Sequence, residues 1–291
     1  MLDAARSGQL RALGTAISPD MLRQTMALFA PSAARPNPDF CTVIRDRRYG
    51  EDERHRLDLF LPRAASAPAP ILLFVHGGGF VGGDKGNADA PFYNNIGTWA
   101  SAIGAIGVTM TYRLAPAAGW PAGSEDIAAA VAWLRAHAEE LGGDPDRIVA
   151  MGQSAGAAHV AGYVAHEGLG AADALAGAIM LSGIYDLEAL AHSPLEGAYY
   201  GTDAANFAKR SSLSGLIATP LPCLFTVAEH DPPNFQHQAE RVVHETCRTR
   251  GQWPRMLYLT AHNHLSPALV LGEDGDILGR QLAAFIGEIT T

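Results

Sequence analysis

IVAMGQSAG, residues 148–156, joins a short apolar run to a serine flanked by glycines. The run suits a strand buried on both faces, and the Ala-rich segment that follows, AAHVAGYVAH (157–166), is compatible with a helix. On a sharp strand-to-helix turn a serine is held in strained backbone, and flanking glycines let neighbouring backbone approach without a Cβ clash. The helix behind it offers the positive end of its dipole and a free N–H at Ala155 for a developing oxyanion. Ser154 is therefore the candidate nucleophile. A plain tight turn would account for the glycines but not for the strand and helix on either side.

On both sides of this segment the chain keeps the same rhythm. ILLFV (71–75), AIGVTMT (105–111), AIML (178–181), CLFTV (223–227) and MLYL (256–259) read as short buried strands, and RHRLDLFL (54–61) alternates as a half-buried one. SEDIAAAVAWLRAHAEEL (124–141) predicts a helix capped by Ser124, with acidic residues in its first turn and Gly142-Gly143 closing it. Strand–helix alternation implies an α/β fold with a mostly parallel central sheet flanked by helices. Residues 1–40 read as helical and then irregular, with Ser18-Pro19-Asp20 starting a helix that Pro31, Pro36 and Pro38 end. Residues 185–216 form a long connection rich in Gly, Ser and Tyr, the kind that makes a lid. The expected organisation is an N-terminal helical cap segment (1–40) and a catalytic domain (41–291) with a cap insertion at about 185–216.

Composition narrows the function. The 291 residues are 48% hydrophobic and 18% charged, with a formal net charge of -9. A basic stripe for nucleic acid is lacking. The densest positive cluster, Arg45, Arg47, Arg48, Arg54 and Arg56, is interleaved with Asp46, Glu51, Asp52 and Glu53 and reads as a solvated hairpin. Cys41, Cys223 and Cys247 are an odd number without CxxC spacing, as in a protein of a reducing compartment. MLDAARSGQLRALG (1–14) has no continuous apolar core of a signal peptide, and no run is long enough to span a bilayer. A cytoplasmic, soluble protein is expected.

His76-Gly77-Gly78-Gly79 follows the strand ILLFV directly. Consecutive glycines let backbone N–H groups point into a cavity, the second half of an oxyanion hole. A phosphate loop is the alternative, but the Lys-Ser/Thr ending is missing and Asp84 would repel phosphate. A serine hydroxyl needs a base, and the base needs a group to orient it. AEHDP (228–232) and TAHNHLS (260–266) each follow a strand, where open α/β sheets gather their functional loops. Asp231 is the preferred acid with Glu229 as competitor, and His264 is preferred over His262 as base.

With these pieces in place, the chain resembles the hormone-sensitive-lipase-like carboxylesterases of the α/β-hydrolase superfamily, near bacterial short-chain esterases and arylformamidases. The resemblance rests on LDLFLP (57–62), HGGGFVGGDKG (76–86), TYRLAP (111–116), GGDPDRIVAMGQSAG (142–156), AEHDP (228–232) and HNHLS (262–266), in the family's order. It implies an α/β-hydrolase fold, a Ser154–Asp231–His264 triad, and oxyanion donors at Gly78, Gly79 and Ala155, with Gly77 an alternative to Gly79. It gives Tyr112 and Arg113 a loop-stabilising role. The chain departs from the family at Ala228, where Gly is common, and in the second histidine of its base loop.

Other signals point elsewhere and carry less. His262-x-His264 and the series His230, His237, His244 have metal-like spacing but no further residue to complete a zinc set. Among Phe80, Phe92, Trp120, Tyr199, Tyr200 and Phe207, Phe80 is the candidate substrate-binding aromatic because it follows the glycine loop. The expected activity is hydrolysis of short-chain or small carboxylic esters through an acyl-enzyme, with no cofactor and no metal. The expected partner is a small-molecule ester, without nucleic acid or a membrane span, and a homodimer is left open. An arylformamidase or amidase is the nearest rival, although similar arylformamidases carry an aromatic in the third glycine's place. A hydrolase-like binder without turnover is a rival of another class.

Overall fold

A computed structural model describes residues 2–63, 68–169 and 173–291. ILLFV and IVAM lie side by side: β3 (Ala69–Val75) and β5 (Gly143–Gln153) run parallel, with Ile71 opposite Ile148 and Val75 opposite Gly152. Along β3, Leu73 and Val75 enter one hydrophobic cluster while Leu72 and Phe74 enter another on the opposite face. A strand with two dry faces needs apolar residues at successive positions, hence the unbroken run.

The sheet is completed by β1 (Cys41–Arg48), β2 (Arg56–Pro62), β4 (Ile106–Met110), β6 (Gly177–Leu181), β7 (Cys223–His230) and β8 (Arg255–Asn263). Among the described residues its order is β1-β2-β4-β3-β5-β6-β7-β8. β2 is antiparallel to both neighbours, and the remaining pairs are parallel. The chain passes from β3 to β4 and then returns across β3 to make β5. The loops after β3 and β5 therefore leave the sheet at a topological switch point, where a crevice opens. These loops are the glycine run and the Ser154 turn.

One face is covered by α4 (Ala122–Leu141), α5 (Ala155–Ala165), α8 (Leu213–Ala218) and α9 (Pro233–Arg250). The other carries α1 (Ala4–Ala12), α2 (Pro19–Phe29), α3 (Asn94–Ala102), α10 (Ser266–Leu269) and α11 (Ile277–Ile289). Ser18 caps α2 as its sequence predicts, its Oγ accepting the Met21 N–H at 3.1 Å, and Leu10 and Phe29 are buried on the domain. Residues 185–216 carry α6 (Pro194–Tyr200) and α7 (Phe207–Arg210). Tyr185, Leu213 and Leu216 root this connection in the main core. Leu187, Leu190, Tyr199 and Tyr200 form a separate cluster with Phe80, Ala115, Ala155 and Ala158. None of the described helices is long and apolar enough to cross a membrane.

Two local expectations need correction. Ser124 does not cap α4: the helix begins at Ala122, and Ser124 Oγ donates to the His159 carbonyl at 3.0 Å, tying α4 to α5. The arginine-rich hairpin is solvated at Asp46, Arg47, Arg48, Glu51, Asp52 and Glu53, as its charge pattern suggests, but Arg45, Arg54 and Arg56 are half-buried. Asp58 on β2 is fully buried and is paired with Arg45 at 2.6 Å and Lys85 at 2.8 Å, since a buried carboxylate needs such partners. Arg54 donates to the carbonyls of Tyr112 and Gly83. Arg54 thereby ties Gly83, in the segment that follows the glycine run, to Tyr112 just past the end of β4.

A Cβ on Gly156 would stand 2.1 Å from the Val75 carbonyl oxygen, whereas one on Gly8, in α1, would meet nothing within 4 Å. Gly156→Ala is expected to destabilise the protein by about 3 kcal/mol or more. Gly8→Ala should stabilise it by up to about 1 kcal/mol. Urea unfolding of the two variants beside the parent checks both signs.

Candidate active site

Ser154 joins β5 to α5 at φ 56° and ψ -120°, a conformation costing a side-chain-bearing residue on the order of 1–3 kcal/mol. Packing enforces it. A Cβ on Gly152 would lie 2.3 Å from the Gly156 carbonyl oxygen, so only glycine lets the turn close. The Ser154 N–H donates to the Leu181 carbonyl at 2.9 Å, which ties the turn to the end of β6.

His264 and Asp231 reach the serine from the ends of β8 and β7. His264 Nε2 lies 2.8 Å from Ser154 Oγ, and His264 Nδ1 lies 2.6 Å from Asp231 Oδ1. Asp231 is fully buried and His264 is nearly so. A carboxylate can only accept, so Nδ1 carries the proton and Nε2 is left to accept the serine hydroxyl. The other oxygen of Asp231 accepts the Ser182 hydroxyl at 2.6 Å and the Ala228 N–H at 2.7 Å. Its position at the C-terminal end of β7 gives both carboxylate oxygens partners, which is what allows it to be buried.

The competing residues have other work. Glu229 accepts the Ala261 N–H at 2.6 Å, bracing a residue held at φ 66°. His262 pairs through Nδ1 with Ser266 Oγ at 2.9 Å, and burial pushes its imidazole down to about 4. Asn263 separates the two histidines: its Oδ1 accepts the N–H groups of Leu265 and Ser266, and its Nδ2 donates to Thr25 on α2 at 2.7 Å. Gln153 Nε2 donates to the His264 carbonyl at 2.9 Å. Sequence reading passed over Gln153, Ser182 and Asn263. Each is a polar residue at the C-terminal end of a strand, and that placement was the available signal.

In the glycine run, Gly78 has φ 137° and Gly79 φ 60°, and a Cβ on Gly78 would strike the Gly82 carbonyl. Gly77 abuts Ser154: a Cβ there would lie 3.2 Å from the serine Cβ. Among the described residues, the N–H groups of Gly78, Gly79 and Ala155 have no protein acceptor. His76 is buried, stacks on Tyr112 at 4.4 Å, donates to the Gly77 carbonyl, and receives the Tyr112 hydroxyl on its own carbonyl at 2.9 Å. Arg113 is held by buried Asp126 at 2.6 Å. Phe80, expected to line the substrate pocket, is instead 2% exposed and stacked on Tyr199 at 4.8 Å. Its φ is 69°, and its ring packs with Ala155 and Ala158, in the helix that follows Ser154, and with Tyr200. Leu195 on α6 covers Gly79, its Cδ1 2.9 Å from where a Gly79 Cβ would be, and Phe235 lies against the His264 ring at 4.2 Å.

His159, one turn beyond Ser154, is buried among Phe80, Tyr112 and Tyr199, and neither ring nitrogen has a hydrogen-bond partner. Burial pushes it down to about 3 and His76 down to about 4. Among the described residues no group of His, Cys, Asp and Glu is arranged to hold a metal ion.

The chain has relatives in sequence and in fold. The model of the prolyl oligopeptidase family matches residues 121–289, and the BD-FAE model matches residues 57–175. Esterase LipC of Mycobacterium tuberculosis is 33% identical over 154 residues, covering 50% of this chain and 36% of that protein. Carboxylesterase NlhH of the same species is 39% identical over 117 residues, covering 39% of this chain and 35% of that protein. A probable isoprenylcysteine alpha-carbonyl methylesterase of Arabidopsis thaliana is 37% identical over 119 residues, covering 41% of this chain and 24% of that protein. The matches thus span well under half the length of these curated relatives. In fold, the chain is similar to a bacterial heroin esterase (TM-score 0.72, 22% identity, 100% of this chain and 98% of that one). It is also similar to an arylesterase (TM-score 0.69, 18% identity, 100% and 99%).

Two measurements test the site. A fluorophosphonate probe is expected to label Ser154, with labelling slowed on the order of 10⁴-fold or more by His264→Ala and left within about twofold by His262→Ala, which leaves the Ser154–His264 contact in place. Below pH 6.5 the unfolded chain protonates His159 while the folded chain does not, so stability falls with acid. The loss is about 1.4 kcal/mol per pH unit for that group until its folded-state value is reached. His159→Leu should remove that contribution, flattening the fall in urea midpoint between pH 7 and pH 5.

Proposed function

This chain belongs to the prolyl oligopeptidase family and has the α/β-hydrolase fold, and on that basis we propose that it is a serine carboxylesterase acting on short-chain or small esters. The observation that carries the proposal is the unbroken hydrogen-bond chain from Ser154 Oγ through His264 to Asp231, at 2.8 Å and 2.6 Å, beside backbone donors left without acceptors. The names of the curated relatives, esterases throughout those reported above, support the same reading.

In the proposed reaction, His264 takes the Ser154 proton as the hydroxyl attacks the ester carbonyl. The carbonyl oxygen, now negative, is held by the N–H groups of Gly78, Gly79 and Ala155, and removing one such donor typically costs roughly 3–4 kcal/mol. The imidazolium then protonates the departing alcohol. Water enters, loses its proton to His264 and releases the acid by the same steps. Asp231 fixes the tautomer and stabilises the charged ring. No step calls on a cofactor.

Leu195 over Gly79 and Phe235 against His264 place apolar side chains beside the proposed oxyanion donors and base, which supports short acyl chains. The N-terminal helices and the 185–216 connection would then act as a small cap. A small-molecule ester is the partner this reading requires, and free Cys41, Cys223 and Cys247 support a cytoplasmic location.

Ser154→Ala is expected to reduce hydrolysis of p-nitrophenyl acetate by roughly 10⁴-fold or more. In the parent, rates should fall from acetate towards decanoate esters and exceed those on N-formylkynurenine. Faster cleavage of the formamide would replace the esterase with an arylformamidase. A parent that takes the fluorophosphonate label yet hydrolyses neither class would favour a binder.

A further inference from the structure

Ser182 stands at φ 50° at the end of β6, buried to 3% exposure. Five non-glycine residues take positive φ among the described residues: Asp46, Phe80, Ser154, Ala261 and Ser182. Such conformations persist where the surroundings over-determine them, and they gather at functional sites. Ser154 is the elbow, and Ala261 is braced by Glu229 in the base loop. Ser182 is almost wholly buried, and its hydroxyl donates to Asp231 Oδ2 at 2.6 Å.

Its surroundings hold that hydroxyl in place. The preceding residue, Leu181, accepts the Ser154 N–H at 2.9 Å, and the Ser182 N–H donates to Thr226 on β7 at 3.2 Å. One strand end thus touches the nucleophile through a carbonyl and the acid through a side chain. Asp231 faces His264 on one oxygen and Ser182 with the Ala228 N–H on the other. The Tyr185 ring lies near enough to feel its charge, and buried Tyr185 stays protonated. Glu229 is turned to Ala261 and His262 to Ser266. Without the Ser182 hydroxyl, Oδ2 would keep a single protein donor.

We propose that Ser182 is a positioning residue of the reaction, a fourth member of the hydrogen-bond chain that fixes the rotamer of Asp231 and tempers its pull on the His264 proton. A hydroxyl donor disperses carboxylate charge and locks the plane of the group. Its loss leaves a more strongly attracting and less fixed carboxylate, which holds the imidazolium form to higher pH and aims the imidazole less well. The assignment of a catalytic step to this chain rests on the esterase reading, whereas the Ser182–Asp231–His264 coupling does not.

The test compares Ser182→Ala, Ser182→Gly and Ser182→Cys with the parent. Alanine removes the hydroxyl and keeps the backbone strain, glycine removes both, and cysteine keeps the volume with a weaker donor. Expected is a fall in kcat of about tenfold with KM within about twofold for alanine and glycine alike, with cysteine between them and the parent. The acid limb of the kcat profile on p-nitrophenyl acetate should move up by about half a pH unit. In the same proteins, the low-field proton NMR signal of the His264 Nδ1–H should move and titrate at higher pH. Folded variants that match the parent in kcat, pH profile and NMR signal would overturn the proposal. So would a defect in alanine that glycine repairs, which would assign the effect to backbone strain. If the parent hydrolyses no ester, the esterase reading falls, and the NMR titration and fluorophosphonate labelling rates still decide for or against Ser182.

Discussion

Helix α5 is pressed against strand β3 until backbone meets backbone, and Gly156 is the point of contact, its α-hydrogen aimed at the Val75 carbonyl. Every residue of α5 from Ala155 to Val164 is buried, so the helix has no wet face along which to tilt. Its small residues Ala157, Ala158, Ala161 and Gly162 let neighbours close on it from all sides. With the helix fixed and β5 fixed, the turn between them has one conformation available, and the serine side chain is what that conformation presents. Nothing about the hydroxyl itself requires φ 56°. The strain is stored by the packing of a helix on a sheet.

The electrostatics around this elbow are arranged in two zones. On the β7–β8 side, a buried carboxylate is satisfied on both oxygens and faces an imidazole. On the glycine-loop side, the buried imidazoles His76 and His159 are kept neutral by desolvation, the first stacked on Tyr112 and the second edge-on to Phe80, Tyr112 and Tyr199. Neutral rings there contribute bulk without a field. Negative charge developing beside Ser154 would then be met by backbone N–H groups and the α5 dipole alone, donors that need no reorganisation.

Much of the scaffold was legible because its physics is local or periodic. Unbroken apolar runs mark the two-faced strands, Gly142 marks the end of α4 at φ 78°, and Ser18 marks the start of α2. Asp231 and His264 stand out in the sequence because each follows such a run, and the fold brings the two side chains to 2.6 Å. The misses depended on partners far along the chain. Ser124 has the spacing of a cap, but α5 offered it a carbonyl. Phe80 follows the glycine run in sequence, and its stacking on Tyr199, more than a hundred residues further on, is a contact that only the fold supplies. The arginines of the β1–β2 hairpin alternate with acids as a solvated face does, and only the fold shows Asp58 sunk between them. Gln153 and Ser182 carry no composition or period that separates them from ordinary strand-end residues.

The hydrogen bond from Asn263 to Thr25 joins positions 238 residues apart. It sets the turn that carries His264 and thereby makes the base loop dependent on the first helices of the chain. During synthesis those helices emerge long before β8 exists, with the Leu10 and Phe29 faces lacking the surface that covers them. Contacts of such sequence separation are slow to close because loop entropy is lost before they form. Until β8 and α10 are made, α1 and α2 lack the elements against which they pack, and the turn that carries His264 can close only through contacts of long sequence separation.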